Sequence, residues 1–188
     1  IEMRPHRCVR THATLRLPLM DTRDAAILLQ FNRQLLEQAL ELVDAHDAPG
    51  APAYSAYAGA HVRHVIEHYE ALLFAPQMSL VDYDARSRDR ALEHSTALAR
   101  TRLLRVAQRL IDWPAVVLAA PIRVRTRGGV FGEIEFSNLS TVGRELMFLA
   151  SHAVHHFALL QVYCLQHGIF TAPNFGKAPA TVAHELGS

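Results

Sequence analysis

Histidines at helical spacing are the residues through which this sequence points to chemistry. The chain has twelve histidines among its 188 residues, and six of them fall in the two short segments 61–68 and 152–156. His152 and His156 are four residues apart, so on a helix their imidazoles project from the same face. Two imidazoles placed in this way can bind one metal ion. The alternative interpretation is a pair of half-buried histidines that hydrogen-bond to whatever packs against them.

A metal site needs at least a third protein ligand, and the segment 61–68 offers three candidates. On a helical wheel His61 and His68 flank the apolar stripe of this segment, whereas His64 points further from the centre of the stripe. Three imidazoles would leave a coordination position open for water or substrate, which is typical of catalytic rather than structural zinc sites. A metal held there would lower the pKa of a bound water or thiol, or would polarise a substrate oxygen.

Four long helices are predicted to position these histidines. Apolar periodicity and capping signals indicate helices from Asp21 or Thr22 to about Asp47, from Ala58 to Phe74, from Arg90 to about Ile111, and through the run 146–165, which ends near Gly168. Ser140 or Thr141 is expected to cap the last of these helices.

A change of period precedes the last helix. Residues 122–136 alternate around Gly128 and Gly129, which predicts a β-hairpin with a two-residue turn, lying outside the bundle and covering one end of it. The predicted fold class is therefore all-α, a four-helix bundle with a small β-hairpin inserted before the last helix.

Composition is that of an ordinary globular protein, with 50% hydrophobic residues, 20% charged residues and a formal net charge of +1. We expect one bundle domain over residues 1–188, with an N-terminal arm at 1–20 and an irregular tail at 171–188. There is no polybasic tract to indicate nucleic-acid binding, and no uninterrupted apolar run or leader-like segment to indicate a membrane span or secretion. Cys8 and Cys164 are lone cysteines, so a cytoplasmic location with reduced thiols is expected.

Several other kinds of site find no support in the sequence. A ferritin-like di-iron bundle requires Glu-x-x-His pairs, and neither Glu67 nor Glu145 has a histidine three residues later. The chain contains no H-E-x-x-H, no P-loop, no G-x-S-x-G, no dinucleotide fingerprint and no C-x-x-C-H.

The stretch His152-Ala-Val-His155-His156, together with a histidine on the second helix, resembles the DinB/YfiT-like family of metal-binding four-helix bundles. The resemblance covers about residues 22–168, and the segment 58–64 resembles the start of the family's second helix. It implies that His64, His152 and His156 bind a divalent metal such as zinc, nickel or iron, with His61 as the alternative to His64. The family motif usually continues H-H-R-G-Q, whereas here Phe157-Ala158-Leu159 follows.

The resemblance implies metal-dependent chemistry on a small-molecule substrate. In the expected function, the metal activates a low-molecular-weight thiol cofactor or water for transfer or hydrolysis. The alternative is a non-catalytic metal-binding bundle, or a stress-related dimer. A polar loop could line the mouth of the site or could serve only as a turn; its candidate residues are Asp82, Tyr83, Asp84 and Arg86. We also expect a homodimer, because such bundles often pair through helix faces.

Overall fold

The computed structural model describes residues 20–75 and 79–187, a part of the chain that is mostly helical and carries a small β-sheet. The predicted N-terminal arm, apart from Met20, lies outside the described residues, as does Cys8. The helices in chain order are α1 (Thr22–Ala45), α2 (Ala58–Leu73), α3 (Ala91–His94), α4 (Thr96–Ile111), α5 (Val142–Gln166) and α6 (Pro179–Glu185). The strands are β1 (Leu80–Asp82), β2 (Pro121–Gly128) and β3 (Ile134–Thr141).

The four long helices enclose the apolar core. Helices α1 and α2 each contact both α4 and α5, so the four form a closed ring around their buried faces. The largest fully buried side chains come from all four of these helices and from the segments that join them: Tyr69, Phe157, Phe175, Leu36, Leu42, Ile66, Leu72, Leu73, Leu92, Leu103, Leu110 and Leu118. The helical arrangement agrees, at this coarse level, with the predicted bundle.

The helix ends follow the capping signals of the sequence. The side chain of Asp21 accepts a hydrogen bond from the backbone of Arg23, and that of Thr141 accepts one from the backbone of Arg144. At the other end of α5, Gly168 has a φ of 66° and lets the Ile169 amide donate to the Cys164 carbonyl, 2.9 Å away. These hydrogen bonds mark the two ends of α5, the helix that carries His152 and His156.

The prediction of one continuous helix from Arg90 to Ile111 is wrong, because the helix is interrupted between α3 and α4. Ser95 is extended there, with φ −126° and ψ 107°, and its side chain caps α4 by accepting from the Leu98 amide. The break allows α3 to pack closely on the start of α2. A Cβ added at Gly59 would lie 2.1 Å from the carbonyl oxygen of Glu93.

The prediction of a small hairpin before the last helix is also wrong, both in the number of strands and in the length of the turn. Strand β2 pairs antiparallel with β3 as expected, but β1 adds in parallel on the other edge of β2, so the sheet is three-stranded and mixed. Gly128 pairs with Ile134, so the residues between them, rather than a two-residue turn, connect the strands. The sheet is joined to the core through Val81 and Ile122, which are buried.

Helix α5 is the most apolar of the long helices. By length and composition alone it could cross a membrane, since its most apolar 18-residue window has a mean hydropathy of 1.2. In the described structure α5 packs against both α1 and α2 and buries eleven of its residues, Leu146, Leu149 and Phe157 among them. Its place in the core accounts for the buried part of this apolar composition, while Met147, Leu159, Val162 and Leu165 of the same helix are exposed.

The tail, predicted to be irregular, contains α6 and packs on its own chain. Phe175 is 1% exposed and stacks on Phe157 of α5, with ring centroids 4.8 Å apart. Gly176 follows with a φ of 73°, and a Cβ there would lie 2.6 Å from the backbone nitrogen of Ala158. Phe157 stands where the family motif has a polar residue, and here it is part of the core.

Candidate metal centre

Helices α2 and α5 bring the two histidine segments face to face. His61, His64 and His68 lie on one side of α2, because the spacings of three and four residues keep them in one row. His152 and His156 lie one helical turn apart on the facing side of α5. Since α2 contacts α5 along this side, five imidazoles meet between the two helices. His155, on the same helix, is exposed.

Three of these five imidazoles form a group that could hold a metal ion. One ring nitrogen from each of His64, His152 and His156 lies within 4.8 Å of the other two. The closest pair is His64 Nε2 and His152 Nε2, 2.8 Å apart. This is the set of residues that the family resemblance implies, although on the helical wheel His64 points further from the apolar stripe than His61 and His68 do.

The separations within the group suit a small cation. Nitrogens bound to one tetrahedral zinc lie about 3.3 Å apart, given zinc–nitrogen bonds of about 2.0–2.1 Å. At 2.8 Å, His64 Nε2 and His152 Nε2 share a proton in a hydrogen bond. A metal would replace this bond after the two rings separate by about half an ångström. Side-chain rotation alone can supply such a movement.

The imidazoles of the group are held in the neutral form that a metal requires. Burial lowers the pKa of His64 to about 3, and the neighbouring side chains of His68, Arg86, His152 and Arg63 further disfavour a proton on it. Burial also lowers the pKa of His156 to about 3 and lowers that of His152. Neutral imidazole is the ligand form of histidine, so these rings need not lose a proton at neutral pH to bind a metal.

His68 lies beside the group, but both of its ring nitrogens are already engaged. Its Nδ1 is 2.7 Å from the carbonyl oxygen of His64, which can only accept, so Nδ1 carries the proton. Its Nε2 therefore accepts from the Arg86 guanidinium, 3.0 Å away. The His68 ring lies 4.1 Å from that of His64 and 4.5 Å from that of His152, so it packs against two members of the group without joining it.

Two buried carboxylates hold the loop that carries Arg86. Glu67 on α2 accepts from the Ser87 hydroxyl at 2.9 Å and from the Asp89 amide at 2.7 Å. Glu145 on α5 accepts from the Tyr83 hydroxyl at 3.0 Å. Sequence reasoning missed this role of the two acids. Both acids stand next to apolar positions of predicted core helices. A carboxylate buried there without a partner would be costly, so the sequence could have indicated that each one has a hydrogen-bond partner.

The loop residues expected at the mouth of the site divide into two pairs. Arg86 and Tyr83 reach the histidines: Arg86 donates to His68, and the Tyr83 ring stacks on His68 at 5.6 Å. Asp82 and Asp84 instead serve the turn and the sheet. Asp82 accepts from the backbone of the turn and from Arg125, and Asp84 accepts from the backbone of Arg127.

A cavity of about 410 Å³ opens between α2 and this loop. Arg86 lines it and also contacts His68, so a single guanidinium borders both the cavity and the histidine cluster. The walls of the cavity combine apolar and polar or charged side chains: Glu67, Glu70, Ala71, Phe74, Ala75, Leu80, Asp82, Ala85, Arg86 and Ser87. The volume is within the usual range for a small-molecule site.

Comparison with known proteins assigns the chain to no family. No family model matches it, and no solved structure matches it. It is similar to a protein named FK506-binding protein 5 from Rhizopus delemar, with 25% identity over 107 residues. The matched part is 57% of this chain and 28% of that protein, so the chain spans little more than a quarter of its relative.

Proposed function

We propose that the chain is a DinB-like metal-dependent enzyme in which His64, His152 and His156 bind one divalent metal. A metal held by these residues would activate a low-molecular-weight thiol for transfer to a small substrate, or a water molecule for its hydrolysis. The observation that carries the proposal is the convergence of three neutral imidazoles from two facing helices. The sequence motif on α5 supports the same ligand set.

The donor set favours metals that accept nitrogen ligands. Zinc, nickel and iron all suit three imidazoles, whereas magnesium and calcium prefer oxygen. The ligand group contains no carboxylate, so it would leave the full charge of the cation in place. Bound there, such a metal acts as a Lewis acid that lowers the pKa of a water or thiol.

A positively charged side chain, a loop held in place and a cavity lie beside the three histidines, as a substrate site requires. Arg86 offers a fixed positive charge between the histidines and the cavity, and it comes from the loop rather than from α5, where the family motif has its arginine. Glu67 and Glu145 hold the loop in place, so the guanidinium is positioned before a substrate arrives. The cavity provides room for a small molecule beside these residues.

A second candidate function is a non-catalytic metal-binding bundle. Its support is His61, whose Nδ1 is 2.8 Å from His156 Nδ1. If His61 supplied a fourth imidazole, the site would be closed, which is the structural pattern for zinc. FK506 binding, which the name of the Rhizopus relative mentions, is not part of either proposal.

Metal analysis of four variants tests the proposal. We expect the untagged wild-type protein to retain one equivalent of zinc, nickel or iron, and His64→Ala, His152→Ala and His156→Ala to lose it while remaining helical. His155→Ala is the control, because His155 lies on the same helix and is exposed. If an alanine variant unfolded while metal-free wild type stayed folded, the histidines would be core residues and the proposal would fail.

The catalytic part of the proposal is tested separately. Metal-loaded wild type, and His64→Ala treated with the same metal, are incubated either with a low-molecular-weight thiol and a small electrophile or with a hydrolysable ester, and thiol consumption or ester hydrolysis is followed. Turnover by the wild type alone supports the enzyme. Full metal occupancy without turnover of any thiol or hydrolysable ester in the screen favours the non-catalytic bundle.

A further inference from the structure

We infer that His61 is a positioning residue: it holds His156 so that Nε2, and not Nδ1, of His156 faces the metal. The inference rests on the proposed metal site and adds to it a fourth histidine with a different role. The observation behind it is the contact between His61 Nδ1 and His156 Nδ1, 2.8 Å apart across the α2–α5 interface. At this distance one nitrogen donates and the other accepts.

The direction of this hydrogen bond follows from where the other two ligands point. His64 and His152 face each other through Nε2, so the centre of the group lies on their Nε2 side. Nδ1 of His156 is occupied by His61, which leaves Nε2 of His156 for the metal. A metal-binding Nε2 carries no proton, so the proton of neutral His156 is on Nδ1, and His156 donates to His61.

His61 is itself held in place by aromatic rings. The ring of Tyr57 lies 4.7 Å from that of His61, and the ring of Tyr163 lies 5.0 Å from that of Tyr57. The three rings, tilted against one another, form a row of contacts that connects the histidine cluster to Tyr163 in the last turns of α5. His61 is therefore a fixed acceptor for His156, of the kind that orients metal-binding imidazoles in other proteins.

Two other roles for His61 predict different behaviour. As a fourth ligand, it would bind the metal through Nδ1 and would be as necessary as His64. As a packing residue, it would act through its ring area and not through its nitrogen. Substitutions that keep either the ring or the acceptor separate these possibilities.

The experiment measures the zinc affinity and the visible spectrum of the cobalt-loaded protein for wild type and three variants. His61→Phe keeps a ring against Tyr57 and removes the acceptor. His61→Asn removes the ring but keeps an oxygen close to the former position of Nδ1. His155→Ala is the control for loss of a neighbouring imidazole. Circular dichroism of the metal-free proteins checks folding, and His61→Leu replaces His61→Phe if the latter does not fold.

A positioning role predicts that His61→Phe weakens zinc binding about 10- to 100-fold. It also predicts that His61→Asn stays close to wild type, with an unchanged cobalt spectrum. Equal affinity of His61→Phe and wild type overturns the inference alone, as does loss of metal from both variants to the degree seen in His64→Ala. Failure of wild type to bind any metal overturns the proposed function and this inference together.

Discussion

Protonation of the histidine cluster is set by its surroundings. Burial lowers the pKa of His64, His68 and His156 to about 3, and the nearby guanidinium of Arg86 opposes a further positive charge on His64 and His68. The same burial that prepares the rings for a metal leaves the metal-free protein sensitive to acid. An unfolded chain carries histidines of ordinary pKa, about 6.5.

We predict that the metal-free protein loses stability as the pH falls from 7 to 5. The folded pKa values lie below the unfolded ones, so the unfolded state binds more protons in this window and is favoured as the pH falls. The melting temperature of chelator-treated protein, measured at half-unit steps, should decrease steadily. His64→Gln, which cannot titrate, should show a smaller decrease. A melting temperature that is constant from pH 7 to 5 would contradict the expected burial of these rings.

At the scale of elements, the tail is held to α5 by one close approach. Gly176 has a φ of 73°, and a Cβ there would lie 2.6 Å from the nitrogen of Ala158. Phe175, next to it, is buried against Phe157. A side chain at position 176 would therefore push the tail away from the α5 backbone.

We predict that Gly176→Ala destabilises the protein more than Gly168→Ala does. Both glycines have a positive φ, but nothing lies within 4 Å of a Cβ added at Gly168. The control variant therefore carries only the conformational cost, about 1 kcal/mol, whereas Gly176→Ala adds a backbone clash. Phe175→Ala should cost about 3–5 kcal/mol through the cavity that it leaves. Urea unfolding measures all three, and equal losses for the two glycine variants would show that the tail is not packed as described.

The sequence predicted the existence of the four long helices because each has an apolar face repeated over several turns, and Asp21 and Thr141 also mark where α1 and α5 begin. It also placed His64, His152 and His156 together, although through a family motif, since one apolar stripe does not fix the rotation of α2. Strand β1 was missed because three residues are too few to show alternation. The break at Ser95 was missed because the apolar period continues across it.

The sequence could not predict which residues Glu67 and Glu145 bind, and the reason is different. Their partners, Ser87, Asp89 and Tyr83, lie far along the chain and meet them only after the helices have packed. Such contacts follow from the tertiary structure and not from local periodicity.

At the scale of the whole molecule, the α2–α5 interface builds the site, and among the described residues other helix faces expose apolar side chains. Ile27 on α1 and Met147 on α5 are 54% and 56% exposed and line the same apolar groove, of about 740 Å³. These side chains are where a helix-face contact between two copies of the chain would bury apolar surface.

We predict a homodimer in solution. Light scattering at tens of micromolar protein should give twice the chain mass of 21.0 kDa. Ile27→Asp should shift the mass towards that of one chain, and the exposed variant Val130→Asp, at the β2–β3 connection, is the matched control. A monomeric mass for the wild type would contradict the prediction and leave the metal site unaffected.

The central claim is that one metal ion is bound by three histidines from α2 and α5. Anomalous diffraction from crystals of zinc-loaded protein, recorded on both sides of the zinc absorption edge, tests this claim most directly. We expect one strong peak with His64, His152 and His156 nitrogens at about 2.0–2.1 Å. His61 should remain hydrogen-bonded to His156 and outside bonding distance of the metal. A zinc-loaded crystal with no peak between these helices, or with a peak bound by other residues, would contradict the account.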